Sequence, residues 1–156
     1  MPDPIVVMDD GAVRIIRINR PEKKNALTLA MYVEMTRALR EAEASDAIRC
    51  VIFAGAPGSF CAGDIADFLK AADSGLDPRA LKFLNALARS QKPLVAAVGG
   101  VAIGIGATML FHFDHVVAGA GAVFSTPFLK LALIPKAASS LLAPMRMGYA
   151  LSLIHI

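Results

Sequence analysis

Two glycine turns, each followed by a helix-like pattern, contain the residues whose types and spacing suggest chemistry. The first is Cys61-Ala62-Gly63-Asp64, within SFCAGDIADF (59–68), and the second is Gly104-Ile105-Gly106. Backbone N–H groups at a helix start have no partner within the helix, and the helix dipole adds positive potential there. Two such turns that converged on one point would form an oxyanion hole, which stabilises the enolate of a thioester. Two ordinary turns of an α/β domain would explain the same spacing, so this alternative stays open.

Short strands that alternate with helices position these turns, and they predict an α/β domain. A hairpin is expected from Ile5–Met8 and Val13–Asn19, because Asp9-Asp10-Gly11 between them is a turn signal. Thr28 is placed to cap a helix that runs to about Ala44. The other predicted elements are strands Cys50–Ala54, Leu94–Val98, His115–Ala118 and Ala122–Phe124, and helices Ile65–Ala72, Pro78–Ser90 and Gly106–Phe113. The order of strand, glycine turn and helix therefore occurs at 50–72 and again at 94–113.

The composition limits the class of protein. Hydrophobic residues make up 56% of the 156 residues and charged residues 19%, so a folded domain is expected and disorder is not. The net charge is only +3 and the main basic cluster is Arg20 with Lys23 and Lys24, which disfavours nucleic acid as a partner. Cys50 and Cys61 form no CxxC pair and suit a reducing compartment. The first ten residues lack the pattern of a secretory signal, so we expect a cytoplasmic protein.

Four other patterns suggest different functions, and each has a simpler explanation. Residues 94–111 form an uncharged run with GxxxG spacing, but its glycines indicate a buried strand and turn rather than a membrane span. The second glycine turn lacks the third glycine and the downstream acid of a dinucleotide-binding fingerprint. His112, Asp114 and His115 have no second ligand cluster, so no metal is expected. No serine lies in a G-x-S-x-G elbow, which disfavours a serine hydrolase.

Four segments together resemble the crotonase superfamily, the enoyl-CoA hydratases and isomerases. They are INRPEKKNALT (18–28), VIFAGAPGSFCAGDI (51–65), KPLVAAVGGVAIGIGATML (92–110) and FSTPFLKLALIP (124–135). The segments occur in the family's order over nearly the whole chain. The resemblance implies an α/β spiral of strand–strand–helix units, an acyl-CoA substrate, and assembly as trimers or hexamers. It also implies a role in fatty-acid or related acyl-CoA metabolism. No separate cofactor is expected, because CoA is part of the substrate.

The resemblance also implies which residues form the site. The residues expected to bind the CoA thioester are Lys24, Ala26, Leu27, Ala62, Gly63 and Gly104. The second oxyanion donor would be the N–H of Ile105. Family members usually have one more residue between the glycine and the aspartate of the first turn. Either Gly63 shifts into the donor position, or Asp64 occupies it and brings a carboxylate near the developing negative charge. The first alternative is milder, because two like charges repel strongly in a dry site.

The acid and base residues of the family are replaced in this sequence. Hydratases use two carboxylates to move the proton of water, and the matching positions hold Thr108 and Phe128. Isomerases use one glutamate to shift the double bond. The segment TPFLKLALIPKAASS (126–140) resembles this branch, but Lys136 stands at the glutamate's position. A lysine is a base at neutral pH only when burial lowers its pKa far below about 10.4, so a charged Lys136 that faces solvent or a CoA phosphate is the simpler expectation.

Two functions from different classes follow. In the first, the chain is an enzyme that isomerises or hydrates enoyl-CoA, which makes it an isomerase or a lyase. In the second, it is a catalytically silent, truncated acyl-CoA-binding relative. Architecture and ligand class favour the first, whereas Thr108, Phe128 and Lys136 favour the second. We expect residues 1–150 to form an incomplete crotonase-like acyl-CoA-binding domain that lacks the C-terminal helices of the family. Residues 151–156, LSLIHI, are expected to be an atypical tail.

Overall fold

The computed structural model of the chain describes residues 3–63 and 77–155. The predicted helix Ile65–Ala72 and the candidate site residue Asp64 lie outside these ranges. The strands within the ranges are β1 Ile5–Asp10, β2 Val13–Ile18, β3 Cys50–Gly55, β4 Ser59–Cys61, β5 Leu94–Val98, β6 Val101–Ile103, β7 His115–Ala118 and β8 Val123–Ser125. The α-helices are α1 Leu29–Ala44, α2 Pro78–Ala88, α3 Ile105–Thr108, α4 Ser139–Met147 and α5 Tyr149–Ile154. Short 3-10 turns occupy Pro21–Lys23, Met109–His112 and Leu129–Leu131.

The strands form two sheets, and from β3 onward successive strands belong to the two sheets in turn. The larger sheet has the order β1-β2-β3-β5-β7, in which β1 and β2 form an antiparallel hairpin and the other pairs are parallel. The smaller sheet has the order β4-β6-β8 and is parallel throughout. From β3 onward, each pair of consecutive strands therefore adds one strand to each sheet. This arrangement confirms the predicted α/β spiral of strand–strand–helix units.

The core lies between the larger sheet and helices α1 and α2. Thr28 caps α1, because its side chain accepts a hydrogen bond from Met31 N. The rings of Tyr32, from α1, and Phe83, from α2, lie 5.7 Å apart, and Phe53 of β3 contacts the ring of Phe113 edge to face at 5.3 Å. Such aromatic pairs stabilise a fold by about 0.5–1.5 kcal/mol beyond the area that they bury. These contacts fix the sheet, and with it the strands that lead to the two glycine turns.

Most predicted elements are confirmed, with three differences. The predicted helix Gly106–Phe113 is α-helical only over Ile105–Thr108 and continues as a 3-10 turn. The three-residue strands β4 and β6 were not predicted, although the glycine turns follow directly from them. Helices α4 and α5 were also not predicted.

The last part of the chain contributes little to the core. Beyond Phe113, the buried apolar residues are few among those described, whereas Leu129, Ile134 and Tyr149 are 81%, 77% and 72% exposed. The uncharged run at 94–111 forms β5, β6 and α3 rather than one long helix. Within residues 3–63 and 77–155, no helix has the length and hydropathy that crossing a membrane requires.

Candidate functional site

The two glycine turns lie side by side because the strands that precede them are neighbours. Strands β4 and β6 are parallel, with Ser59 opposite Val101 and Cys61 opposite Ala102. Parallel strands end at the same edge of a sheet, so the turns after Cys61 and after Ile103 leave at the same place. A Cβ added to Gly63 would lie 3.2 Å from Ile103 O, which places the first turn directly against the end of β6.

Glycine is needed in these turns for two different reasons. Gly63 and Gly104 have φ values of +91° and +58°, a region that glycine enters at little cost. Gly106 is needed for close approach, because an added Cβ would lie 2.8 Å from Cys61 Cβ and closer still to Cys61 O. The glycine at 106 therefore allows α3 to begin in direct contact with β4.

Both turns present backbone N–H groups for which the structure gives no hydrogen-bond acceptor among the described residues. In the second turn, Gly104 N–H donates to Ser125 O at 2.9 Å, and Gly104 O accepts from Thr108 N, whereas the N–H groups of Ile105 and Gly106 have no acceptor given within the described ranges. In the first turn, the N–H of Gly63 likewise has none there. Backbone N–H groups at a helix start have no partner within the helix. Unpaired donors at two adjacent turns are therefore suited to a ligand oxygen.

The loop that contains Lys24, Ala26 and Leu27 is hydrogen-bonded to the first turn. Ala62 N–H donates to Lys24 O at 3.0 Å, and Leu27 N–H donates to Gly63 O at 2.7 Å. Lys24 is exposed and Leu27 is buried. The structure thus brings together the residues from 24–27, 62–63 and 104–105, which are far apart in the sequence.

Two residues of this cluster were missed by the sequence reasoning, Asn25 and Ser59. Asn25 is fully buried and has a φ of +59°. Its Oδ1 accepts from Arg20 N at 2.8 Å, and its Nδ2 donates to Ser59 O at 2.6 Å. The Ser59 hydroxyl in turn donates to Lys24 O at 2.7 Å. The available signal was an asparagine within a turn, since asparagine tolerates the left-handed region better than most residues.

Thr108 and Phe128, the residues that the resemblance aligns with the acid and base positions of hydratases, provide no carboxylate. Thr108 ends α3 and is 1% exposed, and Phe128 precedes the 3-10 turn Leu129–Leu131 and is 7% exposed. Lys136 is half-buried and lies before α4, where its carbonyl oxygen accepts from Ser139 N at 3.0 Å. Neither the hydroxyl of Thr108 nor the ring of Phe128 can exchange a proton as a carboxylate does.

His112 and Asp114 have structural contacts. His112 Nε2 lies 3.0 Å from Ala137 O, and Asp114 Oδ2 accepts from Leu94 N at 2.8 Å. In the part of the chain that the structure describes, no group of three or more His, Cys, Asp or Glu side chains is placed to hold a metal ion.

A cavity of about 570 Å³ lies beside the residues that follow the second turn. Its wall is mostly apolar and includes Ala107, Leu110, Phe124, Ser125 and Thr126. No residue of 24–27 or 62–63 lines it. The place where the two turns meet is therefore separate from this cavity.

Known proteins similar to this chain share one family. The family described as "Enoyl-CoA hydratase/isomerase" matches residues 9–152. "Enoyl-CoA delta isomerase 2" from Rattus norvegicus is 38% identical over 153 residues, which cover 94% of this chain and 39% of that protein. "1,2-epoxyphenylacetyl-CoA isomerase" from Escherichia coli (strain K12) is 34% identical over 149 residues, 90% of this chain and 57% of that protein.

A solved structure gives the same result. An enoyl-CoA hydratase/isomerase from Pseudoalteromonas atlantica T6c is 37% identical and matches with a TM-score of 0.91, covering 99% of this chain and 61% of that one. The chain thus spans between 39% and 61% of the length of these three relatives.

Proposed function

Because this chain belongs to the enoyl-CoA hydratase/isomerase family, we propose that it binds acyl-CoA thioesters through an oxyanion hole formed by the N–H groups of Gly63 and Ile105. The observation that supports this most is the contact between the two turns, each of which presents an N–H without an acceptor in the described ranges. Donors held in place before the reaction stabilise charge that develops on the thioester oxygen. The donors are main-chain atoms, so the side chain of Ile105 takes no part in the donation, while position 63 favours glycine because of its positive φ.

The loop at 24–27 supports the same ligand. It is hydrogen-bonded to the first turn, so a molecule that extends from the thioester oxygen across Gly63 would meet Lys24, Ala26 and Leu27. The exposed ammonium group of Lys24 suits the phosphates of CoA. CoA would be part of the substrate, and we propose no separate cofactor.

We propose that this chain is related to enzymes that isomerise the double bond of enoyl-CoA thioesters, within fatty-acid or related acyl-CoA metabolism. This proposal is supported by the names of the relatives and by the TPFLKLALIPKAASS segment. Residues 1–150 would be the acyl-CoA-binding domain, and assembly as trimers or hexamers would follow the family. A cytoplasmic location is supported by two cysteines that form no disulfide, although one relative is named "Enoyl-CoA delta isomerase 3, peroxisomal".

A second candidate function is acyl-CoA binding without catalysis. It is favoured by Thr108 and Phe128 at the two carboxylate positions, both of them buried, and by Lys136 at the isomerase position. For this chain we therefore expect no hydration of crotonyl-CoA above the uncatalysed rate. Loss of the enoyl absorbance at an ordinary enzymatic rate would show that other residues move the proton.

Isothermal titration calorimetry with three ligands tests the oxyanion hole. Acetyl-CoA has the thioester oxygen, S-ethyl-CoA has nearly the same shape without it, and free CoA lacks the acyl group. Two hydrogen bonds at about 1 kcal/mol each predict roughly 30-fold tighter binding of acetyl-CoA than of S-ethyl-CoA. Equal affinity for acetyl-CoA and S-ethyl-CoA, or no binding of either, would contradict the proposed site.

A further inference from the structure

We infer that Asn25 and Ser59 are positioning residues that hold the N–H of Gly63, the first proposed oxyanion donor, in place. They do so through the loop at 24–27. The inference rests on the proposed function, since it assigns a role to residues behind the Gly63 donor rather than to a group that touches substrate.

The loop adopts a conformation that its own residues do not favour. Lys24 and Asn25 are consecutive non-glycine residues with φ values of 50° and 59°. Left-handed backbone at a non-glycine residue persists only where the surroundings hold it, and such strain is common at functional sites. Here the surroundings are the hydrogen bonds of the buried Asn25 side chain, one to Arg20 N and one to Ser59 O.

The hydrogen bonds lead from this loop to both sides of the donor. The N–H of Gly63 belongs to the peptide that joins Ala62 to Gly63. On one side, Ala62 N–H donates to Lys24 O, and on the other, Gly63 O accepts from Leu27 N. The direction of the Gly63 N–H therefore depends on where Lys24 O and Leu27 N lie.

Ser59 fixes the first of these two contacts. Its hydroxyl donates to Lys24 O, the same oxygen that accepts from Ala62 N–H, and its own carbonyl oxygen accepts from Asn25 Nδ2. Ser59 is 5% exposed, so water does not readily replace its hydroxyl. Removal of either side chain leaves Lys24 O, and with it the first turn, less firmly placed.

The second turn does not use this network. Gly104 N–H donates to Ser125 O, and the carbonyl oxygen of Gly104 accepts from Ala107 N and Thr108 N. Loss of Asn25 or Ser59 should therefore weaken one donor of the two. Thioester preference, defined as the affinity for acetyl-CoA divided by that for S-ethyl-CoA, should fall about fivefold and not disappear.

The variants Ser59→Ala and Asn25→Gly test this, the second because glycine accepts the left-handed backbone. Thr36→Val is the matched control, since the Thr36 hydroxyl also donates to a backbone carbonyl at 2.7 Å from a buried position but lies within α1. Ser59→Thr keeps the hydroxyl and should restore thioester preference. The infrared stretch of the labelled carbonyl in [1-13C]acetyl-CoA reports hydrogen bonding to the thioester oxygen directly, and in Ser59→Ala it should move toward its frequency in water-free solvent.

The outcomes separate this inference from the proposed function. If the natural chain itself shows no thioester preference, the proposed oxyanion hole fails and the positioning role fails with it. If the natural chain prefers acetyl-CoA and folded Ser59→Ala keeps the full preference and carbonyl frequency, only the inference is overturned. A parallel loss of affinity for all three ligands, with unchanged ratios, would show a merely structural role and would also overturn it. Should Asn25→Gly fail to fold, Ser59→Ala with its Thr36→Val control decides alone.

Discussion

Gly106, in the second turn, packs directly against Cys61 at the end of β4, so Gly106→Ala tests whether the two turns act together. The added Cβ would lie 2.8 Å from Cys61 Cβ and closer still to Cys61 O, whereas ordinary contact begins at 3.4 Å. Neither obstructing atom is at the end of a flexible side chain. The start of α3 and the end of β4 must therefore separate by at least about 0.6 Å.

That separation sets the expected magnitudes. Inserting a methyl group into a packed contact costs about 1–3 kcal/mol of unfolding free energy. Oxyanion donors act within about 2.7–3.1 Å of the oxygen, so a shift of this size removes one donor from its working distance. We expect thioester preference to fall from roughly 30-fold to about fivefold. In any variant that has isomerase activity, turnover should fall by about 10²–10³.

Urea unfolding and calorimetry with acetyl-CoA and S-ethyl-CoA measure both effects. Gly121→Ala is the control, because nothing lies within 4 Å of a Cβ at 121 and Gly121 is not among the glycines with positive φ. Gly121→Ala should keep the ligand ratio and change the unfolding free energy by about +0.4 to +1 kcal/mol. The reasoning is refuted if folded Gly106→Ala binds the two ligands in the ratio of the natural chain.

Three further predictions concern catalysis and stability. Lys136→Glu should give measurable conversion of a 3-enoyl-CoA to a 2-enoyl-CoA, followed by absorbance, whereas Lys130→Glu should not; no gain in folded Lys136→Glu would count against the isomerase branch. Ala132 has a φ of +54°, so Ala132→Gly should raise the unfolding free energy by up to about 1 kcal/mol, while Ala120→Gly, at ordinary φ, should lower it. The Asp77 carboxylate accepts hydrogen bonds from the guanidinium and from the backbone N–H of Arg79. These bonds lower the pKa of Asp77 from its ordinary 3.8 to about 2. The stability advantage of the natural chain over Asp77→Asn should therefore be constant above about pH 5 and disappear as pH falls from about 4 to 2; a pH-independent difference in urea unfolding would contradict this.

Local signals predicted the elements of the core well. Thr28 followed by a regular apolar face predicted α1, and its observed start at Leu29 and end at Ala44 agree with that prediction. The compact apolar runs that became β3 and β5 were equally clear. Such elements are specified by residues close together in the sequence, so a sequence pattern is enough to find them.

The smaller sheet could not be predicted in the same way. Strands β4 and β6 are only three residues long, which is too short for an alternating pattern to be recognised. Their pairing is set by the larger sheet, which brings β3 and β5 together and thereby aligns the strands that follow them. The division of the predicted helix at 106–113 into α3 and a 3-10 turn has a related cause, because four residues of each are too few to distinguish a period of 3.6 from one of 3.0.

Motifs in the sequence led to candidate residues, whereas the packing around them could not be read from the sequence. The segment KNAL (24–27) and the two glycine turns gave Lys24, Gly63 and Ile105 as candidates. Asn25 lies inside the same motif, but its importance comes from burial and from contact with Ser59, 34 residues away. A single sequence does not show that these two residues are in contact until the fold is known.

The proposed main-chain donors would separate ligand binding from proton transfer in this chain. Thioester binding would depend on the N–H groups of Gly63 and Ile105 and on the alignment of β4 with β6, which substitutions at exposed or distant side chains leave unchanged. Proton transfer depends on single side chains, and the resemblance aligns the acid and base positions with Thr108, Phe128 and Lys136. On that assignment, the chain keeps the backbone of the proposed oxyanion hole without the side chains that would move a proton. Under the proposed function, family membership carries the ligand class, whereas the reaction must be read from the few side chains around the site.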